Sequence, residues 1–406
     1  MNCSAQRPAL APAGTAARRL QRSPRATRQK VWCLGGEDIH LRMPFFRKLA
    51  GLGFDVTVLG SGEAEPFARH GLPYIRYPLR RFLNPGADVR SLREIVRLVG
   101  AHRPDVVHGF DTKPSLLAPL ATSRAGVGRA VRTINGMGYI FSSRSPAALA
   151  LRPVYRGLQR YVAPRAAMTI FQNAQDRAYF EAHGLVALGR SRLIPGAGID
   201  VDDFNACNLD SGAQARLRGE LGLQHNTIVT TVSRLTRQKG IPTLLEAAAR
   251  VAARHSEVVF LLVGPREAEG PLAVSASALE RHAPYVRALG VRNDVPALLA
   301  ITDIFVLPTQ YREGVPRALL EAGLAGSAIV TTTMPGCTDV VRDGWNGLLV
   351  EPSDARALAR AIITLLERPE LRREMGQRSR DFVREHFSLE RVADAHAKVY
   401  EEVSRG

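Results

Sequence analysis

Residues 304–322 read Ile-Phe-Val-Leu-Pro-Thr-Gln-Tyr-Arg-Glu-Gly-Val-Pro-Arg-Ala-Leu-Leu-Glu-Ala, and this stretch decides the fold. A short apolar run ends at Pro308, a polar turn follows, and Pro316 opens a helical pattern. A strand that enters a helix through such a turn is typical of ligand sites at the carboxyl edge of a parallel sheet. Glu313 lies in the turn and Glu321 lies in the helix, about 10 Å further on. That span fits two ends of a sugar nucleotide, but a helix dipole that attracts Glu313 and a packing role for Glu321 explain the pair equally well.

Strand and helix patterns alternate on both sides of this stretch. The first half of the chain has apolar strand patterns at residues 31–34, 54–60, 105–108, 130–134 and 167–171. The second half has them at residues 227–232, 258–263, 304–307 and 328–331. The alternation predicts an α/β fold with two doubly wound, Rossmann-like domains whose sheets face each other across a cleft.

The length of the chain, 406 residues, exceeds what one hydrophobic core organises and suits two domains. Residues 1–30 are rich in Ala, Pro, Arg and Ser, and they predict a disordered basic tail without a secretory signal. We expect domains over residues 31–200 and 226–386, a polar hinge over residues 201–225 and a C-terminal helix within residues 387–406.

Composition excludes several classes of protein. Hydrophobic residues make up 45% of the chain, which is enough for two packed cores, and no apolar run reaches the ~20 residues that a membrane-spanning helix needs. The four cysteines, Cys3, Cys33, Cys207 and Cys337, are far apart, so we expect neither disulfides nor a zinc site, and a reducing cytoplasm.

The net charge of +17 is concentrated, because two segments without any acid, residues 1–30 and 112–175, carry sixteen basic residues. Arg152, Arg156 and Arg160 recur every four residues beside apolar neighbours, so they share one helix face. This pattern fits a helix that rests on an anionic membrane surface, although a solvated helix in an arginine-rich protein also explains it. No nucleic-acid-binding fold or interleaved aromatic pattern is present in the sequence, so we expect no nucleic-acid partner.

Two cations follow strand 227–232 directly. Arg234 and Lys239 leave the carboxyl end of that strand beside the start of the next helix, and this placement suits a diphosphate. Two solvated bases in a loop are the alternative. Together with Glu313 and Glu321, which project from the same sheet edge, the cations describe a nucleotide-sugar site, where they would stabilise a departing nucleoside diphosphate.

These motifs together resemble those of the family 4 retaining glycosyltransferases with the GT-B fold. The similar segments are Ser233–Gly240, Asp303–Thr309, the glutamates at positions 313 and 321, Gly336, and Asp343–Gly347. The resemblance implies that Arg234 and Lys239 hold the diphosphate, that Glu313 contacts the donor sugar, and that these three residues form the catalytic set. It also implies that the donor site is completed by Glu321 at the ribose with Gly314, Val315, Pro316 and Gly264. Nothing in the sequence looks like a metal site, so we expect no metal or other cofactor.

Four segments of the first half are similar to members of that family that extend lipid-diphosphate-linked sugars in bacterial surface polysaccharide assembly. They are His40–Pro44, Phe82–Pro85, Asp111–Pro114 and Asn135–Phe141. The resemblance implies that the first domain holds the acceptor and that the last helix crosses back to brace this domain. The acceptor candidates are His40, Arg42, Lys113, Asn135 and His108, the last being either a packed residue or one that orients the acceptor.

The sequence departs from the family at two positions. Gly109 follows His108 where many relatives have a second histidine, and Asn135 replaces another common histidine. No catalytic base is therefore identifiable, which agrees with the usual proposal for the family that the leaving phosphate accepts the proton of the acceptor.

The function predicted from the sequence is retaining transfer of a sugar from a nucleotide sugar to a saccharide linked to undecaprenyl diphosphate. We expect the enzyme to be cytoplasmic and peripheral on the inner face of the cell membrane. One alternative is the same fold acting on a soluble acceptor, such as a small metabolite or a storage glucan. Another is a sugar-nucleotide-binding protein without catalytic activity.

Overall fold

The computed structural model describes residues 28–80, 84–142, 145–206, 210–266, 270 and 272–405. The predicted disordered tail lies almost entirely outside these ranges, as do Cys3, Phe82, Arg144 and Cys207.

The first half of the chain forms a parallel sheet of seven strands in the order β3-β2-β1-β4-β5-β6-β7. The strands are β1 (Lys30–Leu34), β2 (Asp55–Gly60), β3 (Tyr74–Arg76), β4 (Val106–Gly109), β5 (Arg129–Ile134), β6 (Met168–Phe171) and β7 (Ser191–Leu193). The helices of this half are α1 (Met43–Gly51), α2 (Glu65–Ala68), α3 (Pro85–His102), α4 (Pro114–Ala125), α5 (Gly138–Ser142), α6 (Pro146–Val162) and α7 (Ala174–Ala182). A 3-10 helix, Glu37–Arg42, precedes α1.

Two helices, α8 (Val201–Ala206) and α9 (Ser211–Glu220), connect the halves. The second half forms a parallel sheet of six strands in the order β10-β9-β8-β11-β12-β13. Its strands are β8 (Thr227–Val232), β9 (Val258–Val263), β10 (Val286–Gly290), β11 (Ile304–Leu307), β12 (Ala328–Thr332) and β13 (Gly347–Val350). The remaining helices are α10 (Ile241–Ala252), α11 (Ala276–Glu280), α12 (Val295–Ala300), α13 (Arg317–Ala325), α14 (Cys337–Val340), α15 (Ala355–Glu367), α16 (Pro369–Phe387) and α17 (Leu389–Arg405).

The central strands form because their residues are apolar throughout and are covered on both faces of the sheet. Every residue of β9, Val-Val-Phe-Leu-Leu-Val, is buried, which is the pattern expected of a parallel strand between two helical layers. The helices bury one stripe each, as in α10, where Leu244, Leu245, Ala248 and Val251 join the core of the second half. Two separately packed parallel sheets confirm the predicted fold class.

The last helix, α17, packs on the first half although it follows the second half in sequence. Its residues Leu389, Val392, Val399 and Tyr400 belong to the same core cluster as Val31 of β1 and Phe46 of α1. Lys48 of α1 pairs with Glu390 at 2.6 Å, and Arg192 pairs with Glu402 at 2.7 Å. The chain therefore crosses between the two halves twice. The domain boundaries that we predicted remain predictions.

Within the described ranges, no helix combines the length and the apolar character that crossing a membrane requires.

Candidate active site

The site is built from two loops at the carboxyl edge of the second sheet. One loop, residues 233–240, follows β8, and the other, residues 308–316, follows β11, the neighbouring strand. The amide of Gln310 donates to the carbonyl of Gln238 at 2.9 Å and ties the loops together. Gly240 has a φ of +75° and lies against the carbonyl of Pro308, where a Cβ would overlap the oxygen. The close approach of the loops therefore requires a glycine at this position.

Lys239 and Glu313, one from each loop, form an ion pair of 2.7 Å between Nζ and Oε2. The hydroxyl of Thr309 donates to the other carboxylate oxygen of Glu313 at 3.1 Å. The two side chains are only 12% and 17% exposed, so the pair is largely buried rather than on an open surface. The structure thus brings together two of the three predicted catalytic residues. The third, Arg234, is half-buried on the same loop as Lys239.

Glu321 joins a different ion pair, with Nε of Arg317 one turn earlier in α13 at 2.7 Å. It also lines a cavity of about 180 Å³ together with Arg42 of the first half and Asp203 of α8.

The predicted helix start needs a small correction, because Pro316 has extended backbone and precedes α13, which begins at Arg317. Gly264, another predicted donor residue, packs against the carbonyl of Ser233, so it shapes the loop that carries Arg234.

The loop that carries Glu313 also contacts the first half. Gln172 Oε1 accepts a long hydrogen bond from the amide of Val315 at 3.4 Å, and Gly314 leaves the space that the Gln172 side chain fills. The Asn173 amide group donates to the carbonyl of Glu313 at 3.2 Å. Gly314 and Val315, predicted as donor contacts, therefore lie where the two halves meet.

Sequence reasoning missed four residues at this junction: Gln172, Asn173, Asp176 and Arg312. Arg312 pairs with Asp176 at 2.6 Å, and the Asp176 side chain is completely buried. A signal was available, because Gln172 and Asn173 directly follow the apolar strand pattern of residues 167–171, at the same sheet edge as Asn135.

The predicted acceptor residue Lys113 lies at the edge of the first sheet. Its ammonium group pairs with Asp88 at 2.7 Å and donates to the carbonyl of Arg80 at 2.9 Å. The residue also lines a cavity of about 220 Å³ with Glu37 and Asp111. A cavity with both carboxylates and cations is suited to a polar ligand.

Arg42, His40 and Asn135 have different surroundings. Arg42 is half-buried, and its guanidinium group lies 4.7 Å from the ring centre of Phe110. Burial lowers the pKa of Arg42, and the negative charge of Asp111 opposes that shift. His40 is exposed, and its Nδ1 lies 3.1 Å from the carbonyl of Glu37. Asn135 donates to Asp111 Oδ1 at 2.8 Å. Arg42, Asp111 and Asn135 are thus neighbours at the carboxyl edge of the first sheet.

His108 is the exception among the predicted acceptor residues, because it is completely buried. Its Nδ1 lies 2.6 Å from the hydroxyl of Tyr400 and its Nε2 lies 2.7 Å from the hydroxyl of Thr133. Burial lowers the pKa of His108 well below its usual value, and the nearby His396 and Arg42 lower it further. No face of the ring is open to a solute, so the expected acceptor contact is not available here and the packed alternative is favoured.

The three arginines of α6 do not form a free basic face. Arg156 donates to the hydroxyl of Tyr179, Arg160 donates to the carbonyl of His183 at 3.2 Å, and Arg152 donates to the carbonyl of Phe141 at 3.4 Å. Arg160 is nevertheless exposed, and beside it one flank of the helix exposes large apolar side chains. Its residues are between 38% and 66% exposed, and they are Leu151, Val154, Leu158 and Tyr161.

Neither of the two described cysteines has a reactive thiol. Burial raises the pKa of Cys337 to about 12 and that of Cys33 above its ordinary value, so both stay protonated. In the part of the chain that the structure describes, no three His, Cys, Asp or Glu side chains are grouped so as to hold a metal ion.

Two parallel sheets whose carboxyl-end loops meet, with a cation and a carboxylate paired in one of these loop regions, define the class of two-domain GT-B proteins. Residues 43–197 match the glycosyl transferase 4-like domain, and residues 214–382 match glycosyl transferases group 1. The two matches cover most of both halves, and the chain belongs to this family of glycosyltransferases. The resemblance found in the sequence is confirmed.

Relatives and solved structures of known identity agree with this assignment. The chain is 26% identical over 373 residues to the N,N'-diacetylbacillosaminyl-diphospho-undecaprenol alpha-1,3-N-acetylgalactosaminyltransferase of Campylobacter jejuni, covering 91% of this chain and 96% of the relative. It is 27% identical over 283 residues to the UDP-Gal:alpha-D-GlcNAc-diphosphoundecaprenol alpha-1,3-galactosyltransferase of Escherichia coli, covering 69% of this chain and 71% of the relative. Its fold is similar to that of Anabaena HepE solved in complex with UDP, with a TM-score of 0.75 at 19% identity, covering 93% of this chain and 100% of HepE.

Proposed function

We propose that this glycosyltransferase transfers a sugar, with retention, from a nucleotide-sugar donor to a saccharide carried on undecaprenyl diphosphate in surface polysaccharide synthesis. The observation that carries the proposal is the ion pair of Lys239 and Glu313, 2.7 Å long, in a loop that contacts the first half. The relatives from C. jejuni and E. coli, both named for diphosphoundecaprenol-linked acceptors, support this class of acceptor.

In this proposal, different residues of the site contact the leaving diphosphate and the donor sugar. In transfer, the bond between C1 of the donor sugar and the diphosphate oxygen breaks, and an acceptor hydroxyl forms the new bond to C1 on the same face. The released diphosphate oxygen accepts the hydroxyl proton. Arg234 and Lys239 stabilise the charge that grows on the diphosphate. Glu313 contacts the sugar, and Glu321 contacts the ribose.

The acceptor lies against the first half in this proposal. The cavity lined by Lys113 and Asp111 and the neighbouring Arg42 offer cations and carboxylates at the edge that faces the donor loop. His40 lies on the exposed rim of the same edge and Asn135 lies at the junction with the donor loop. Such mixed polar groups suit the hydroxyl groups of a saccharide together with its diphosphate.

We also infer that the enzyme is peripheral on the inner face of the cell membrane and contacts the lipid through α6. The exposed stripe of Leu151, Val154, Leu158 and Tyr161 follows helical spacing and lies on one side of the helix. Arg165 stacks on the ring of Tyr161 at 3.9 Å and adds a cation at the border of this stripe. Apolar side chains bordered by arginine fit the interface of an anionic bilayer.

The proposal is tested by assaying a panel of nucleotide sugars with a synthetic undecaprenyl-diphosphate saccharide and with the same saccharide free of lipid. Glu313→Gln should lower the transfer rate at least tenfold, which corresponds to ~1.4 kcal/mol. Glu246→Gln is the matched control, because Glu246 is an exposed glutamate of α10 paired with Arg250.

The outcomes separate the alternatives. Equal rates on the lipid-free saccharide would favour a soluble acceptor. Binding of a nucleotide sugar without transfer or hydrolysis would favour the non-catalytic alternative. A chelator should leave the rate unchanged, and a strong loss would overturn the expectation that no metal takes part.

A further inference from the structure

The backbone of the donor loop is held from the opposite half of the molecule. The amide of Arg312 donates to Ser142 Oγ at 2.7 Å, and the carbonyl of Arg312 accepts from the amide of Gly138 at 3.2 Å. The next carbonyl, that of Glu313, accepts from Asn173. The main-chain groups on both sides of the Glu313 side chain are thus fixed by the first half, whereas its carboxylate is fixed by Lys239 of the second half.

A buried charge pair joins the same two elements. Asp176 of α7 is completely buried, and its Oδ1 lies 2.6 Å from Nη2 of Arg312. Its other oxygen accepts from Asn173 at 3.0 Å. If the halves separated, the Asp176 carboxylate would lose its cation, and the loop that carries Glu313 would lose this attachment to α7. The pair therefore favours the arrangement in which the donor loop touches the first half.

A chain of hydrogen bonds links this junction to the acceptor edge. Asn135 donates to Asp111 at 2.8 Å and accepts from Gln172 Nε2 at 3.1 Å, and Gln172 in turn accepts from the amide of Val315. Asp111 lines the cavity that also contains Lys113. One hydrogen-bond network therefore connects Asp111, at the proposed acceptor cavity, to Val315 in the donor loop.

We propose that Asp176 and Arg312 are positioning residues that place Glu313 for its contact with the donor sugar only when the two halves are closed on each other. This inference rests on the proposed role of Glu313. Neither residue needs to touch a substrate, because the ion pair acts through the backbone of the loop. Closure would in this way be a condition for transfer rather than for nucleotide binding, since Arg234 and Lys239 both belong to the second half.

The first test measures amide hydrogen exchange in the full chain. Asp176→Asn keeps the size of the side chain but removes its charge and presents a donor where Asn173 donates. Amides within residues 136–139 and 311–315 should then exchange at least tenfold faster than in the unaltered protein. Glu181→Gln, which changes a partly exposed carboxylate of the same helix, should leave them protected. Unchanged protection in Asp176→Asn would overturn the proposal, and Arg312→Gln makes the same comparison if Asp176→Asn does not fold.

The second test separates positioning from stability. With the nucleotide sugar that gives the highest rate, Asp176→Asn should lower kcat at least tenfold, while the corresponding free nucleoside diphosphate raises Tm as much as in the unaltered protein. Arg312→Lys keeps the cation, so it should retain a higher kcat than Arg312→Gln, which removes it. Unchanged kcat in a variant whose loop has lost protection would overturn the positioning role. An unaltered protein that transfers no sugar would overturn the proposed function instead, and the exchange measurement would still decide whether the pair fixes the loop.

Discussion

Gly240 sets how closely Lys239 can approach Glu313. Its backbone is in the left-handed region, with a φ of +75°, and a Cβ there would overlap the carbonyl oxygen of Pro308. This oxygen belongs to the main chain, so it cannot move away by a rotamer change as a flexible side chain can. Gly222 has a similar φ of +62°, but a Cβ there would meet no other atom. The two glycines therefore differ only in the steric clash with Pro308.

We therefore predict that Gly222→Ala lowers the free energy of unfolding by ~1 kcal/mol, the usual cost of this backbone region for alanine. Gly240→Ala should cost at least ~1 kcal/mol more and should lower the transfer rate at least tenfold, because the loop that carries Lys239 must move away from β11. Urea unfolding and the transfer assay measure the two effects. Equal costs for both variants, with full activity in each, would contradict the role given to Gly240.

Among individual residues, the sequence predicted those whose partners come from neighbouring strands. Lys239 and Glu313 follow β8 and β11, and parallel strands end at the same edge, so their meeting follows from the strand pattern. Asp176 and Arg312 come from different halves, and no periodicity fixes how two sheets face each other. His108 was ambiguous for a related reason, because its burial is completed by Tyr400, 292 residues away.

Helix α6 is the element whose exposed face we propose as the membrane contact. Val154 and Leu158 lie on the apolar stripe, whereas Leu149, which is 46% exposed, lies on another side of the same helix. A new carboxylate on the stripe should oppose insertion into an anionic bilayer, and the same change at Leu149 should have little effect.

The expected result is that the double variant Val154→Asp, Leu158→Asp binds anionic vesicles at least tenfold more weakly at low salt, in a flotation assay. Leu149→Asp should bind as the unaltered protein does. Transfer to the lipid-free saccharide should be the same in all three proteins. Retention of the double variant on the vesicles would remove α6 from the membrane contact.

The strength of the apolar pattern decided which elements the sequence revealed. The helix face predicted from the spacing of Arg152, Arg156 and Arg160 is observed within α6, Pro146–Val162, because a long amphipathic pattern is easy to detect. Residues 201–225, predicted as a polar hinge, contain α8 and α9. In α9 no residue is buried, so there is no apolar stripe to detect, and only the side chain of Asp210, which caps the helix start, gives a signal. The three-residue edge strands β3 and β7 were missed because so short a strand has no period.

The whole molecule depends on the return of α17 to the first half. Residues of this helix supply one side of the core that encloses β1 and β4, so the first sheet is covered only after the second half has been synthesised. Two histidines become buried as a result. His396 of α17 and His108 of β4 have their ring centres 5.6 Å apart, and Phe45 lies 4.9 Å from His396.

This burial predicts an acid-sensitive fold. Burial lowers the pKa of His396 to about 4, with its hydrogen bond to the Val392 carbonyl opposing the shift and Arg42 adding to it. The same cause lowers the pKa of His108. In the unfolded chain a histidine has a pKa of about 6.5, so between that pH and about 4 the unfolded state binds more protons than the folded state. Stability should therefore fall as the pH drops through this window, by ~3 kcal/mol for His396 alone.

The contribution of His396 can be isolated, because carboxylates elsewhere also respond to acid. Replacing it with leucine removes the titrating ring but keeps an apolar side chain in contact with Phe45. We predict that urea unfolding of His396→Leu depends less on pH between 7 and 4.5 than that of the unaltered protein, by most of this ~3 kcal/mol. His70→Leu, at an exposed histidine, should leave the pH dependence unchanged. If His396→Leu loses stability in acid as steeply as the unaltered protein, the junction between α17 and the first half does not sense protons through this residue.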